Sequence, residues 1–551
     1  VSGPGPIKAA SETQICVFCH IPHNASPAVP LWGHTTNSGT YTIYTSSTIQ
    51  GSSGQPNGSS KLCLACHDGA VAIGAVIPSY SYPSSGSVIA MTGTGAGGVM
   101  PAGATNLGTD LRNDHPVSLL PATGPNADPE IMLTPADTRV KYDSTGQVQC
   151  TSCHNPHDNT YGKFLVMPNV SGGIGSQLCI GCHAKFNWTN SAHRNATNTY
   201  NGQTIQAQAC AICHKTHTAP IPARLLLGSE EALCNTCHNG STTVNPTIKN
   251  VAGEFARAYR HPLSTSGKHD PTETFTDLND SLKRHSECED CHNPHSAQAG
   301  THRPPNTSGF NGDSKIGAVL LGAWGMKPIY SSTPMSDPVS WEKVVFTDTT
   351  GADMLEAYLC FKCHKDQAKF FNPANPSYHA CVGPPKASTY GGYVSPWSRT
   401  SQMTCSDCHT SSNTTIKGPH GSDYAANNYK TGYSNPVILF ADYKRANGKS
   451  SGTGASGTDT HLCFKCHLRS TYGGGSGGSS GFSTGTNNLH NSGHDRMACT
   501  ICHHVHGSSR RALLTTKGDS WSLGSMLVIR ATTLPEPRTW QGRDCDHSSC
   551  N

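Results

Sequence analysis

The chain has 551 residues, with 25 Cys and 30 His against only 13% charged residues and a formal net charge of +4. Its 57 Gly and 36 Pro interrupt most long helices and strands, and its apolar stretches, Ala70 to Pro78 and Ala318 to Met326, fall far short of the roughly 20 residues that cross a membrane as a helix. A membrane-spanning helix and a conventional enzyme domain with a large aliphatic core are excluded, and the polar start at Val1 reads as a processed chain without a secretory leader.

Eleven C-x-x-C-H segments follow one another along the chain: Cys16/Cys19/His20, Cys63/Cys66/His67, Cys150/Cys153/His154, Cys179/Cys182/His183, Cys210/Cys213/His214, Cys234/Cys237/His238, Cys288/Cys291/His292, Cys360/Cys363/His364, Cys405/Cys408/His409, Cys463/Cys466/His467 and Cys499/Cys502/His503. Together they use 22 of the 25 cysteines. A zinc site explains C-x-x-C pairs but does not require His after every second Cys. C-x-x-C-H is the attachment motif of haem c. On a helical turn, positions i, i+3 and i+4 share one face, so two sulfurs reach the porphyrin edge while the next imidazole turns onto the iron. The expected cofactor is haem c, eleven per chain, with the motif histidines as proximal ligands. At about 50 residues per haem, most side chains are expected to pack on porphyrin.

The motifs fall into repeated pairs. The first member tends to read C-x-x-C-H-x-x-H, as in His154-Asn155-Pro156-His157; the second has Leu before its first Cys, as at Leu62, Leu178, Leu233, Leu359 and Leu462. Five pairs, in segments 1–145, 146–200, 201–280, 281–395 and 396–495, precede a single last motif and tail in 496–551. One continuous haem-spined chain is expected rather than independent domains. Its fold class is mostly irregular coil, with short α-helices carrying the motifs and a few small β-strands, 339–348 and 436–443 among the candidates, in an extended haem-packed repeat. Cys381, Cys545 and Cys550 stand outside the motifs, and either a disulfide within the tail or one from Cys381 to the tail fits them.

Two further groups of histidines recur with the repeat. His23, His157, His217, His295, His420 and His506 follow first members; His115, His193, His261, His379 and His494 precede the next first member. These eleven are the expected distal ligands. In the simplest scheme each preceding His serves the next first haem: His115 at Cys150, His193 at Cys210, His261 at Cys288, His379 at Cys405 and His494 at Cys499. Each follower then serves the second haem of its own pair: His23 at Cys63, His157 at Cys179, His217 at Cys234, His295 at Cys360 and His420 at Cys463. The scheme leaves His506 over and the Cys16 haem short of a donor. Ligation of that haem by His506 of another copy would build a head-to-tail assembly; His34 of the same chain is the alternative.

With motifs from residue 16 to residue 503, the chain resembles multihaem c-type cytochromes, and among them the extracellular cytochrome filaments (nanowires) of metal-respiring microbes. The resemblance implies export to the cell surface or beyond, with the periplasm as alternative. It implies an electron carrier rather than an enzyme, because six-coordinate bis-His iron has no open position for substrate. The expected partners are further copies of the chain in a filament, other redox cytochromes and extracellular acceptors such as metal oxides. With eleven haems the net charge becomes roughly −7 oxidised and near −18 reduced, so no nucleic-acid partner is expected. Two other readings stay open: a monomeric periplasmic or outer-membrane-conduit cytochrome or cell-surface terminal metal reductase, and a multihaem oxyanion reductase.

Overall fold

The computed structural model describes residues 5–23, 25–26, 31–46, 48–77, 88–241, 243–246, 248–263, 276, 285–300, 313–386, 391–413, 415–424, 438–439, 462–472, 483–484, 487–488, 499 and 503–514. It divides into two units, 1–233 and 234–551.

Each motif is built on a single turn. The proximal His N–H donates to the carbonyl of the first Cys: His20 to Cys16 at 2.8 Å, His154 to Cys150, His183 to Cys179, His214 to Cys210, His292 to Cys288, His409 to Cys405, His467 to Cys463 and His503 to Cys499 at 2.9 Å, and His364 to Cys360 at 3.0 Å. This is the i to i−4 bond of an α-turn. Some motifs extend into a helix, as in Gly58–His67 and Glu230–His238. Others are one turn, α in Cys150–Cys153 and Cys288–Cys291 and 3-10 in Cys405–Asp407. Turns this short do not nucleate unaided. These three carry reciprocal caps between the residue before the first Cys and the residue before the second: Gln149 with Ser152, Glu287 with Asp290, and Thr404 with Asp407.

Several motifs depart from the expectation that a helix carries all of their residues, since the helices Ile15–Phe18, Gln177–Ile180, Ala209–Ile212, Glu356–Phe361, Cys405–Asp407 and Leu462–Lys465 each end before the second Cys. The helix Glu356–Phe361 ends before Cys363, at the point where the buried Lys362 turns to donate its Nζ to Asp290 O. The Cys363 N–H donates to Cys360 O at 3.2 Å, an i to i−3 bond that Cys19, Cys182, Cys213, Cys408 and Cys466 also make to the first Cys of their motifs.

Past a first-type motif the chain turns back through left-handed backbone. Positive φ occurs at Leu31 (53°), Lys163 and Phe164 (52° and 56°), Arg224 and Leu225 (both 56°), and Ala512 and Leu513 (55° and 59°). Each such residue costs about 1–2 kcal/mol without glycine, so the returning segment must be held in place. It is stitched to the motif from both sides. Asn155 N–H donates to Phe164 O, Lys215 to Leu225 O and His504 to Leu513 O, at 2.7 to 2.8 Å. Val166 N–H donates to Cys153 O and Leu227 N–H to Cys213 O, both at 3.0 Å.

The strands are short. Among the described residues they form seven two-stranded ribbons; the longest pairs Trp324–Ile329 with Ser340–Val345, Trp324 opposite Val345 and Ile329 opposite Ser340. Of the second expected strand segment only 438–439 is described, where Leu439 bridges Tyr424. The remainder is largely irregular chain with short helices, the class the sequence indicates. Among the described residues no helix is long and apolar enough to cross a membrane.

Apolar packing differs between the units. The first holds a small cluster of Tyr41, Leu64 and Leu111. The second has a contiguous core that includes Phe346, Phe361, Phe370, Phe371, Trp397 and Met403, with the hairpin and helix Glu356–Phe361 contributing. Packing on porphyrin is therefore not the whole of the interior there. Phe346 is 0% exposed, and Phe346→Ala is expected to cost about 3–5 kcal/mol, read as a lower denaturation midpoint of the haem-loaded protein with its haem content unchanged.

Candidate functional site

The motif turns present their imidazoles in opposed pairs. In the first unit the ring centres of His20 and His157 lie 6.1 Å apart, those of His115 and His183 6.3 Å, and those of His154 and His217 6.4 Å. In the second, His261 and His364 are 6.4 Å apart, His292 and His420 6.1 Å, and His409 and His506 6.0 Å. Every pair joins a motif His to one of the expected distal histidines. Two imidazoles bound through nitrogen on opposite sides of one metal, with metal–N bonds of about 2.0 Å, place their ring centres about 6.3 Å apart. The six separations match that value, so the donor set fits a haem iron clasped between two rings.

The free nitrogen is selected by the main chain. Nδ1 lies against a backbone carbonyl in His67 (Thr105, 2.8 Å), His154 (Lys163, 2.9 Å), His214 (Arg224, 2.9 Å), His292 (Val319, 3.1 Å), His409 (Ile438, 2.9 Å) and His503 (Ala512, 2.6 Å). The distal candidates His115 and His261 do the same with Pro116 (3.1 Å) and Pro419 (2.7 Å), and His379 with Val505. A carbonyl only accepts, so Nδ1 carries the proton and Nε2 is left for a metal. Burial is the main cause that lowers the pKa of His115, His154, His292, His409 and His506, and it takes His467 down to about 4 and His420 to about 3. Neutral imidazole is the form that binds metal.

The sulfurs also meet in a pattern. The first Cys of a second-type motif lies against the first Cys of the next pair: Cys63 with Cys150 and Cys179 with Cys210 in the first unit, Cys360 with Cys405 and Cys463 with Cys499 in the second. Within pairs the second sulfurs are neighbours, as in Cys19 with Cys66, Cys153 with Cys182 and Cys408 with Cys466. These thiols stand where thioethers to haem would form. Burial first, then the neighbouring sulfur, pushes Cys66 and Cys153 up to about 12. Cys363 lies half-buried beyond the end of its helix, and the Cys291 thiol of the same pair is acted on by Cys360 and Cys288.

The partners differ from those the order of motifs suggests. His115 faces His183 of the Cys179 motif, not the Cys150 motif; His157 faces His20, His217 faces His154, His261 faces His364 and His420 faces His292. A follower thus reaches back to the first motif of the preceding pair, and a preceding His reaches the second motif of the next. At His154 and His292 the backbone is extended, with φ and ψ of −122° and 135° and of −124° and 135°. That straight exit carries the imidazole three residues on away from its own pair. The correction extends to His238, which was to share its iron with His217. His238 is instead the last residue of the helix Glu230–His238, while the His217 ring is taken by His154 within the first unit. Within the chain the His506 ring lies 6.0 Å from His409 and 5.7 Å from His504, and the His20 ring faces His157, so neither is placed as the expected link between copies has it. His34 is buried elsewhere, with ring nitrogens 2.7 Å from Thr35 O and 3.0 Å from Ile73 O.

The other expected ligands are placed less specifically. His193 sits in the short helix Ala192–Asn195 behind its Ser191 cap, and His295 donates its N–H to Asn293 Oδ1 at 3.0 Å. His379 N–H donates to His506 O at 2.9 Å. His23 is exposed, and no ring faces it among the described residues. His494, Cys502, Cys545 and Cys550 lie outside the described residues. Cys381 is a buried free thiol beside Cys405.

Sequence reasoning missed the residues whose carbonyls orient the proximal rings. Lys163, Arg224 and Ala512 stand nine or ten residues past their histidines, each in left-handed backbone. Their signal is a short apolar run, Phe164-Leu165-Val166, Leu225-Leu226-Leu227 or Leu513-Leu514, at a fixed distance after a first-type motif.

Two comparisons bear on this geometry. The family described as "Doubled CXXCH motif" matches residues 144–187 and 203–243, the second and third motif pairs. The multiheme cytochrome MtrA of Shewanella baltica strain OS185 is 26% identical over 161 residues, which are 27% of this chain and 36% of that protein. This chain therefore spans little more than a third of that relative's length. Paired motifs in a C-x-x-C-H repeat, imidazoles opposed at the span of one iron, and these two matches together identify the chain as a multihaem c-type cytochrome.

Proposed function

We propose that the chain carries single electrons along eleven covalently held haems, each clasped by two imidazoles, and that copies of it assemble into a filament outside the cytoplasmic membrane. The observation that carries the first part is the set of six His–His pairs at 6.0 to 6.4 Å. Haem bound in this way supplies a one-electron carrier with both axial positions filled, which favours electron passage over substrate chemistry. The protein's own work is positioning. Main-chain carbonyls fix the proximal rings, the motif turns fix the sulfurs, and apolar side chains such as Leu64, Leu107 and Leu111, which line a pocket with Cys150, His115 and His217, keep water from the ligands. The sulfur neighbours support a path in chain order through the first unit and from Cys360 to Cys499 in the second, alternating between second-sulfur junctions inside a pair and first-sulfur junctions between pairs.

His23 supports the filament. The followers His157, His217, His420 and His506 each face a motif His, whereas His23 is exposed and has no such ring among the described residues. It is an exposed imidazole that another copy can reach, and a contact of that kind propagates head to tail. Other redox cytochromes and extracellular metal oxides are the proposed donors and acceptors.

Three outcomes follow. A pyridine haemochrome assay should return about eleven haems per chain, and eight or fewer would end the reading. His157→Ala should convert about one haem in eleven to high spin by EPR, with the vacancy at the Cys16 haem in a density map; a vacancy at the Cys179 haem would restore the register rejected above. His23→Ala should keep the haem count and abolish filaments in negative-stain micrographs, and filaments of normal length would refute the assembly while leaving electron carriage standing.

A further inference from the structure

Two junctions between successive motif pairs are each closed by side-chain hydrogen bonds to a serine, with the acceptor on opposite sides. Gln149 precedes the later Cys150, whereas Glu356 precedes the earlier Cys360. The positions matching Glu356 and Ser406 in the first junction are Ser59 and Thr151, whose hydroxyls lie 2.7 Å apart. In the first unit, where Cys63 meets Cys150, Gln149 Oε1 accepts from Ser60 N–H at 3.2 Å and Ser60 Oγ–H at 2.5 Å, and Ser60 Oγ accepts from Cys150 N–H at 3.0 Å. In the second unit, where Cys360 meets Cys405, the acceptor is an acid. Glu356 Oε1 accepts from Ser406 N–H at 2.9 Å, and Oε2 from Ser406 Oγ–H at 2.7 Å. The first junction is joined by a neutral amide and the second by a carboxyl group that is 7% exposed.

No basic side chain pairs with Glu356 among the described residues. The titratable groups that act with it are Asp407, Cys381, Cys360 and Cys405, and haem attachment removes the last two as acids. Asp313 acts in turn on Asp407. Glu356 N–H is taken by Ser314 O at 3.1 Å. A buried carboxylate with hydrogen-bond donors but no countercharge is poised to exchange its proton rather than stay ionised. Burial raises its pKa, and the two Ser406 donors pull the other way.

We propose that Glu356 is a proton-binding site coupled to the redox state of the haems attached at Cys360 and Cys405. When one electron arrives there from the neighbouring carrier, the carboxylate takes up one proton from water, and it releases that proton when the electron leaves. No bond to iron forms or breaks. The electron adds a negative charge beside the carboxyl group, which favours its protonated form, so the potential of these haems falls as pH rises. This rests on the electron-carrier reading above.

The test is a redox titration of the haem-loaded full chain between about pH 5 and 9, with infrared difference spectra of the oxidised and reduced protein. Wild type should show a pH-dependent component of its midpoint potentials and a redox-linked carboxylic C=O band. Glu356→Gln, nearly isosteric, should lose both while keeping its haem count. Ser406→Ala removes the hydroxyl donor to Oε2 while keeping the backbone N–H donor to Oε1, and should move the break in potential to higher pH. Persistence of the pH-dependent component and the band in Glu356→Gln would overturn the proposal, as would an unmoved break in Ser406→Ala. A chain in which no haem accepts an electron would instead overturn the carrier reading.

Discussion

A single hydrogen bond recurs through the molecule, from the proximal histidine N–H to the carbonyl of the first cysteine four residues earlier. It turns five residues of sequence into a three-pronged clasp whose sulfurs and imidazole leave by one face. The rest of each module serves that clasp. Caps start it, a returning segment orients its ring, and a neighbouring module supplies a second imidazole. Long helices and wide sheets would add little to this purpose, and the abundance of Gly and Pro is compatible with their absence.

The clasps were legible in the sequence because their spacing is local and repeated. The class of the fold followed, since 22 of 25 cysteines in this pattern leave little room for another architecture. Six of the eleven expected distal histidines, which recur beside the motifs, face a motif His. Their register was not legible. Whether His115 meets His154 or His183 depends on where separate turns lie relative to one another, and chain order alone carries no such information. The apolar core around Phe346 and Phe361 was hidden for a related reason, because its members are scattered over irregular chain without helical or strand periodicity.

The two units divide the work of cohesion differently. The first, with its small cluster at Tyr41, Leu64 and Leu111, relies on polar stitching such as the Ser60 and Gln149 bonds and on whatever is bonded to its cysteines. The second adds a hairpin and an aromatic core.

The returning segment has an implication for variation. The acceptors at Lys163, Arg224 and Ala512 are main-chain oxygens, so ring orientation makes no demand on the side chains there. One is a lysine, one an arginine and one an alanine. What the positions require is left-handed backbone, which admits many residues at a small cost but not proline. Those side chains are therefore free to change the outer surface, its charge and its neighbours, while the metal-facing geometry beneath them is unaltered.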